Sequence, residues 1–531
     1  MAKNCCRYFT VSLVPVAALV LTILFAGGVL ILPILYSELV KQYVYGVVID
    51  AGSTHTTLYV YRWQVPTSTF THSHTGTVQQ MYSCPLTHNN STSVNSYAGD
   101  PSRVAEAYQA CINTSYGEWY QSKIVPIEQR KYTRIYLGAT AGMRLVELDN
   151  STVSNTLISN IQANLKNPNL TQYKYGNASI LTGSEEAETG WIAANYLRNN
   201  LTAFKTRYSS IGALDLGGAS TQIAFETNET VPSQFFKNES LFGVNYNLYA
   251  RSYLCYGENQ AYSRFLAHLI NVNRNITVNV PNPCLFNGTK IPAINSSAIY
   301  TTCVNHTVGA QVFGHKLTPP PSLRDTVSFV GTGNTTQCKQ YINDTFNNFC
   351  NYQNCDGFVV PPVSGHFVGF SGLYYTADFF NTTNITFTSS SGWGHLTNNV
   401  DTFCNLSSDQ ATPFAKDQFF YMRCFSGYFM SFLLVEGFGF TEDRSWSVEF
   451  KLKLDGVEES PTLGWSLGYI MEKSNKLPQD PYSEVRPYTT VDLVVGMIIL
   501  SILCAIFIVF FFLTFYACKK ALNTRSGYQN I

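Results

Sequence analysis

Two short segments far apart in the chain carry the same order of acidic, glycine and hydroxyl residues. They are Ile49-Asp50-Ala51-Gly52-Ser53-Thr54-His55-Thr56 and Leu214-Asp215-Leu216-Gly217-Gly218-Ala219-Ser220-Thr221-Gln222. Glycine lets backbone N–H groups approach an anion closely, and successive turn amides form an anion-binding nest. Ser and Thr add hydroxyl donors. An Asp in such a bend would repel a bare phosphate, so the pattern makes chemical sense with a hard cation between carboxylate and phosphate. Two such bends facing each other would clamp a metal-bound polyphosphate. One alone would say little, since Asp-Gly turns are common in hairpins.

Phosphoanhydride hydrolysis also needs a group that orients and deprotonates water. Between the bends lies Gly183-Ser184-Glu185-Glu186-Ala187-Glu188-Thr189-Gly190-Trp191, which follows an apolar stretch and opens a helical pattern. Carboxylates there can simply complement a helix N-terminus, the ordinary reading for Glu185 and Glu188. A Glu at the loop–helix junction can equally serve as a base. A further segment, Leu137-Gly138-Ala139-Thr140-Ala141-Gly142-Met143-Arg144, is built of small residues and reads as a close approach of backbone to ligand. A plain strand–helix turn is its other reading.

The elements that must position these residues follow from periodicity. Apolar β-type runs at 45–49, 57–61, 211–214 and 223–225 flank both bends, so each reads as strand, glycine turn and returning strand with Asp at the bend. Helical spacing recurs at 101–113, 151–166 and 185–200, while the polar stretch 67–99 reads as loop. Alternating strands and helices predict an α/β class with mixed sheets. The repeated hairpin predicts a duplicated architecture with the cleft between halves; the helices argue against a single β-rich domain.

Composition narrows the class. The 531 residues suffice for two or more domains, and 34 basic residues balance 34 acidic ones with no basic stripe, so nucleic acid is not an expected partner. Residues 11–36 and 493–517 are each apolar over more than the ~20 residues a membrane helix needs. Lys3 and Arg7 precede the first, and Lys519, Lys520 and Arg525 follow the second. The expectation is therefore two membrane spans with both termini cytosolic and the stretch between them outside the cell or in a lumen. The lipid bilayer is then a partner, and paired spans offer a surface for homo-oligomers. Asn-x-Ser/Thr sequons crowd the region between, among them Asn113, Asn150, Asn238, Asn305 and Asn384, as do an even number of cysteines; both suit an oxidising compartment.

Taken together, these segments resemble the first four apyrase signature regions of the cell-surface ecto-nucleoside triphosphate diphosphohydrolases, or ecto-apyrases. Gly369-Phe370-Ser371-Gly372-Leu373-Tyr374-Tyr375 resembles the fifth, and Gly464-Trp465-Ser466-Leu467-Gly468-Tyr469 the segment near the end of the ectodomain. The resemblance implies a two-lobed, actin-like (duplicated RNase H-like) ectodomain with an N- and a C-terminal transmembrane helix. Resemblance to a cell-surface family also implies the plasma membrane and an extracellular active site. Its domains would be tail 1–10, span 11–36, lobe I 37–180 with 455–490 returning to it, lobe II 181–454, span 493–517 and tail 518–531.

It also implies roles. Asp50 and Asp215 hold Ca²⁺ or Mg²⁺, largely through water, with Thr140, Glu186 and Trp465 lining the same hydration shell. Ser53, Thr54, His55, Gly217, Gly218, Ala219 and Ser220 face the phosphates of ATP, ADP or other nucleotides. Glu186 is the base, Ser220 and Gln222 place the water, and Tyr375 and Phe419 stack on the nucleotide base. The implied disulfides are Cys84–Cys111, Cys255–Cys303, Cys284–Cys338, Cys350–Cys355 and Cys404–Cys424. Two departures stand out: Glu188 is expected to add negative charge near the substrate, and Glu258 stands where relatives often carry a basic residue. A kinase-like phosphotransferase of the actin superfamily and a catalytically inactive surface glycoprotein are the alternative functions.

Overall fold

The structure is a computed structural model. It describes residues 43–64, 78–85, 93–116, 124–198, 210–241, 244–274, 278–346, 360–454 and 461–476, with a few isolated residues besides. Val44–Lys476 forms one compact unit.

Two sheets carry it. The first is built from β1 (Tyr43–Ala51), β2 (Thr56–Gln64), β3 (Gln79–Pro85), β4 (Arg134–Ala139) and β5 (Lys174–Ile180), in the order β3-β2-β1-β4-β5. β2 pairs antiparallel with β3, while β1, β4 and β5 run parallel. The parallel links need crossovers. Helices α1 (Ala141–Asp149) and α2 (Ser151–Lys166) make one of them. Leu157, Ile161 and Leu165 of α2 recur at helical spacing and lie in the same apolar core as Val47, Ile49, Ile135 and Leu137.

Helix α3 (Gly183–Leu197) leaves β5 and leads into the second sheet. This sheet comprises β6 (Gly212–Leu216), β7 (Ser220–Glu226), β8 (Phe236–Leu241), β9 (Val244–Leu254), β10 (Gly365–Ser371), β11 (Phe387–Thr388) and β12 (Trp446–Phe450), in the order β11-β12-β10-β6-β7-β9-β8. Its inner five strands, β9-β7-β6-β10-β12, repeat the pattern of the first sheet: an antiparallel meander joined to two parallel strands. The remaining helices that matter below are α4 (Glu258–Val272), α5 (Gly372–Phe379), α6 (Arg423–Phe432) and α7 (Trp465–Lys476).

α7 packs along α3. Gly468 makes that approach possible, because a Cβ there would stand 1.8 Å from the Thr189 carbonyl. Among the described residues four disulfides close: Cys84–Cys111, Cys255–Cys303, Cys284–Cys338 and Cys404–Cys424. Cys350 and Cys355 lie outside the described residues.

Several expectations need correction. The loop read over 67–99 contains β3 and a 3₁₀ turn at Val94–Gly99. β3 is a polar edge strand held by backbone pairing to β2, so apolar alternation does not announce it. The helix expected over 101–113 divides into a 3₁₀ turn, Pro101–Ala107, and a helix, Gln109–Ser115, because fully buried Tyr108 adopts a non-helical φ of −149°. The two spanning helices and the membrane placement built on them are not upheld. Among the described residues no helix is long and apolar enough to cross a membrane. The segments 11–36 and 493–517 lie outside the described residues, three isolated positions of the second excepted.

Candidate active site

Asp50 is the second-to-last residue of β1, and Asp215 the second-to-last of β6. Both thus sit at the strand end rather than in the bend itself. The turns that follow them touch. A Cβ built on Gly218 would lie 2.6 Å from Thr54 Cγ2 and 2.8 Å from Ser53 Oγ, so only glycine lets the second turn come this near the first. α4 holds the second turn from behind. The amides of Glu258 and Asn259 donate to the carbonyls of Gly217 (2.9 Å) and Gly218 (3.0 Å), and that of Cys255 to the carbonyl of Ala219 (2.8 Å). All three turn carbonyls are thereby engaged on the α4 side. Gly257 permits this packing, since a Cβ there would stand 2.3 Å from the amide nitrogens of Ala219 and Ser220.

Three carboxyl groups act on one another here. Burial raises the Asp50 carboxyl well above its ordinary value; Glu186 and then Asp215 push the same way, and the Trp465 side chain opposes them. Burial pushes Asp215 to about 7, with Glu186 adding to it and the Ser371 hydroxyl and Leu216 amide opposing. Glu186 is raised by burial against the pull of Arg144. Asp215 Oδ1 and Gln222 Oε1 are buried acceptors without a hydrogen-bond partner. Leaving such atoms unmatched is costly, so each calls for a donor or a cation.

The glutamate cluster separates by role. Glu185 closes a capping box with Thr182: its carboxylate accepts from the Thr182 amide at 2.8 Å, and the Thr182 hydroxyl accepts from the Glu185 amide at 3.2 Å. Glu186, next on the first turn of α3, accepts from Arg144 Nη2 at 2.7 Å, with both side chains poorly exposed. Arg144 Nη2 also donates to Ser220 Oγ at 3.0 Å. Gln222 Nε2 donates to the same Ser220 Oγ at 2.6 Å and to Ser252 Oγ at 2.9 Å. Glu188 bonds instead to Glu239 of β8, and burial first, then that carboxyl neighbour, raises it to about 8. Its carboxyl is thereby biased toward the protonated form and faces Glu239, so it adds less negative charge beside the substrate than expected. Ala187 sits within α3 and needs no positive φ.

Thr140 is buried at the N-cap of α1, its amide donating to the Ala51 carbonyl at 3.1 Å. The Trp465 ring lies over Gly138, where a Cβ would stand 2.4 Å from it, and Gly138 is the β4 partner of Asp50. His55 is exposed, with Nδ1 3.0 Å from Thr54 Oγ1. Tyr375 and Phe419 are both exposed. Tyr375 stands edge-on to Tyr374, while Phe419 faces the Arg423 guanidinium at 5.4 Å. Among the described residues these two rings make no contact with each other. Glu258 is half-buried at the start of α4; desolvation raises its carboxyl, and Ser426 and Arg423 oppose.

Arg144 and Ser252 escaped the sequence reading. Arg144 had a signal: it lies four residues after Thr140, on the same helical face, and is the one cation in a small-residue segment. Ser252 had none, because only the β7–β9 register sets it opposite Gln222. Among the described residues no three His, Cys, Asp or Glu side chains gather closely enough to hold a metal ion directly. The carboxylate pair suits a hydrated hard cation better than a dehydrated one.

Comparison with known proteins identifies the family and the fold. The family described as GDA1/CD39 (nucleoside phosphatase) matches residues 37–486. Ectonucleoside triphosphate diphosphohydrolase 8 of Gallus gallus is 33% identical over 83% of this chain and 85% of its own length. Ectonucleoside triphosphate diphosphohydrolase 1 of Mus musculus is 33% identical over 84% of each chain. The crystal structure of a Neospora caninum nucleoside triphosphate hydrolase, 15% identical, superposes with a TM-score of 0.57 over 85% of this chain and 96% of that one, which bears on fold alone.

Proposed function

Because the chain belongs to the GDA1/CD39 (nucleoside phosphatase) family, it is a nucleoside triphosphate diphosphohydrolase, and we propose that it removes terminal phosphates in line with a water activated by Glu186. The substrates are ATP, ADP and other nucleoside tri- and diphosphates, and the products are monophosphate and phosphate. The two sheets act as lobes, 37–180 with 455–490 and 181–454, with the reacting phosphate between them. The four disulfides and the sequons suit an oxidising compartment.

The turn amides of Gly218 and Ala219, with Ser53, Thr54 and His55, bind the phosphate chain; Gly217 shapes the turn, its own amide donating to the Ser220 carbonyl at 2.9 Å. Glu186 accepts a proton from the attacking water. Its raised pKa brings the carboxylate nearer the operating pH, as a general base requires. Ser220 and Gln222 orient the water; Gln222 Oε1, buried and unmatched, is its acceptor. Arg144 fixes Glu186 and Ser220 relative to each other. Tyr375 and Phe419 are exposed rings within reach of solvent and serve the nucleotide base. Asp50 and Asp215 fit a hydrated Ca²⁺ or Mg²⁺, since Asp215 Oδ1 is an unmatched buried acceptor and the neighbouring carboxyls crowd the same space. Thr140, Glu186 and Trp465 would border it. Bound there, such an ion would screen phosphate oxygens and charge on the leaving group.

The observation that carries this reading is the contact of the two acid-bearing turns at Gly218. Phosphate release from ATP, ADP, UTP and AMP, with no acceptor added, tests it. Release from tri- and diphosphates but not AMP, abolished by EDTA, is the expected result. A strict need for an acceptor would favour a phosphotransferase, and no turnover at all an inactive glycoprotein.

A further inference from the structure

Arg264 is completely buried in the middle of α4, one of the largest side chains with no access to solvent. Its Nη2 donates to the His315 carbonyl at 3.2 Å and lies 3.3 Å from His315 Nε2. The guanidinium stacks on Phe313, 3.7 Å from the ring centroid. Nε and Nη1 have no hydrogen-bond partner. Three of the five N–H donors are therefore unmatched.

No carboxylate pairs with this cation among the described residues. That sets it apart from Arg144, Arg198 and Arg423, which face Glu186, Glu449 and Asp417. Burial lowers Arg264 only to about 10, so it stays charged in neutral solution. Nearby titratable groups offer no counter-charge. Burial raises the Tyr256 phenol far above its usual range and lowers both His268 and His315. Asp344, on the helix Thr335–Phe346, is itself exposed and acts on His268.

One turn along α4, on the same face, His268 carries a buried Nε2 that is also unmatched. Water could satisfy these groups but would leave the charge on the guanidinium, and an unpaired buried ion costs far more than an unmade hydrogen bond.

We propose that Arg264 and His268 form a binding site for a small inorganic monovalent anion, with chloride the physiological ligand. The anion takes the unmatched Nε and Nη1 donors and neutralises the guanidinium. The site lies within the helix whose first amides hold the Gly217–Gly218 turn, so occupancy supports the element behind the phosphate site.

Thermal unfolding of the full chain in sodium chloride, bromide and gluconate at equal ionic strength tests this. Chloride and bromide should raise the midpoint by roughly 2 °C or more over gluconate and saturate. Arg264→Met should abolish the difference. In bromide-soaked crystals of the wild-type chain, an anomalous peak should sit beside Arg264 Nε and Nη1. A halide response that persists in Arg264→Met overturns the proposal, as does an absent response or an empty bromide map. If Arg264→Met does not fold, His268→Phe replaces it and should weaken the apparent halide affinity several-fold; an unchanged affinity counts against the site.

Discussion

Arg144 joins the proposed base to the residue that places the water, so its removal has a calculable effect. Arg144→Met keeps an unbranched stem and deletes the guanidinium. The substitution breaks the hydrogen bonds to Glu186 at 2.7 Å and to Ser220 at 3.0 Å; the Arg144 and Glu186 side chains are only 13% and 8% exposed. Hydrogen bonds to charged groups contribute about 1.5–3 kcal/mol, or roughly 10–150-fold in rate if the whole interaction serves the transition state. Glu186→Gln removes the base itself and should cost ~10²–10⁴-fold in kcat. If Arg144 works by holding Glu186, the two losses do not multiply. The double variant should then turn over within about threefold of Glu186→Gln alone. The assay is steady-state phosphate release from ATP at saturating divalent cation, scaled to the folded fraction from a thermal melt. KM for ATP should change much less than kcat. Multiplicative losses in the double variant, or near-normal kcat in Arg144→Met, would refute the coupling.

Gly257→Ala drives a methyl to 2.3 Å from the Ala219 and Ser220 amides; overpacking of this kind costs about 1–3 kcal/mol, so both the melting midpoint and phosphate release should fall. In Asp215→Asn, the rise in melting temperature produced by Ca²⁺ or Mg²⁺ should disappear and turnover should drop by at least ~10²-fold; an undiminished rise would remove Asp215 from the cation site. Glu188 has a folded-state pKa of about 8, above an unfolded value of about 4.3. Its contribution is fully present below the lower value and is lost as pH rises through the higher one. Stability should therefore decline between pH 5 and pH 8, and Glu188→Gln should flatten that decline; an identical slope in melts of both proteins would exclude Glu188 as its source.

The duplicated hairpin was legible because Asp, Gly and Ser/Thr recur in fixed order between β-type runs, and those runs became β1–β2 and β6–β7. Helix α2 was legible to the residue, since its apolar positions face one core and Asn150 caps it. The division of labour among Glu185, Glu186 and Glu188 was not. All three lie in one short run, and only the capping box, the Arg144 contact and the Glu239 contact tell them apart. Ser252 and Arg264 were equally silent, because their roles depend on strand register and on which side of α4 is covered. Hydropathy over 11–36 and 493–517 suggested two spans, yet a run of apolar residues states a preference for burial and does not by itself identify what covers it.

The most direct test is a crystal structure with Mg²⁺ and a non-hydrolysable ATP analogue. The ion should be found between Asp50 and Asp215, with the terminal phosphate against the Gly218 and Ala219 amides and Ser53, and a water held by Glu186, Ser220 and Gln222. An analogue bound away from both turns, or an ion that touches neither aspartate even through water, would contradict the mechanism.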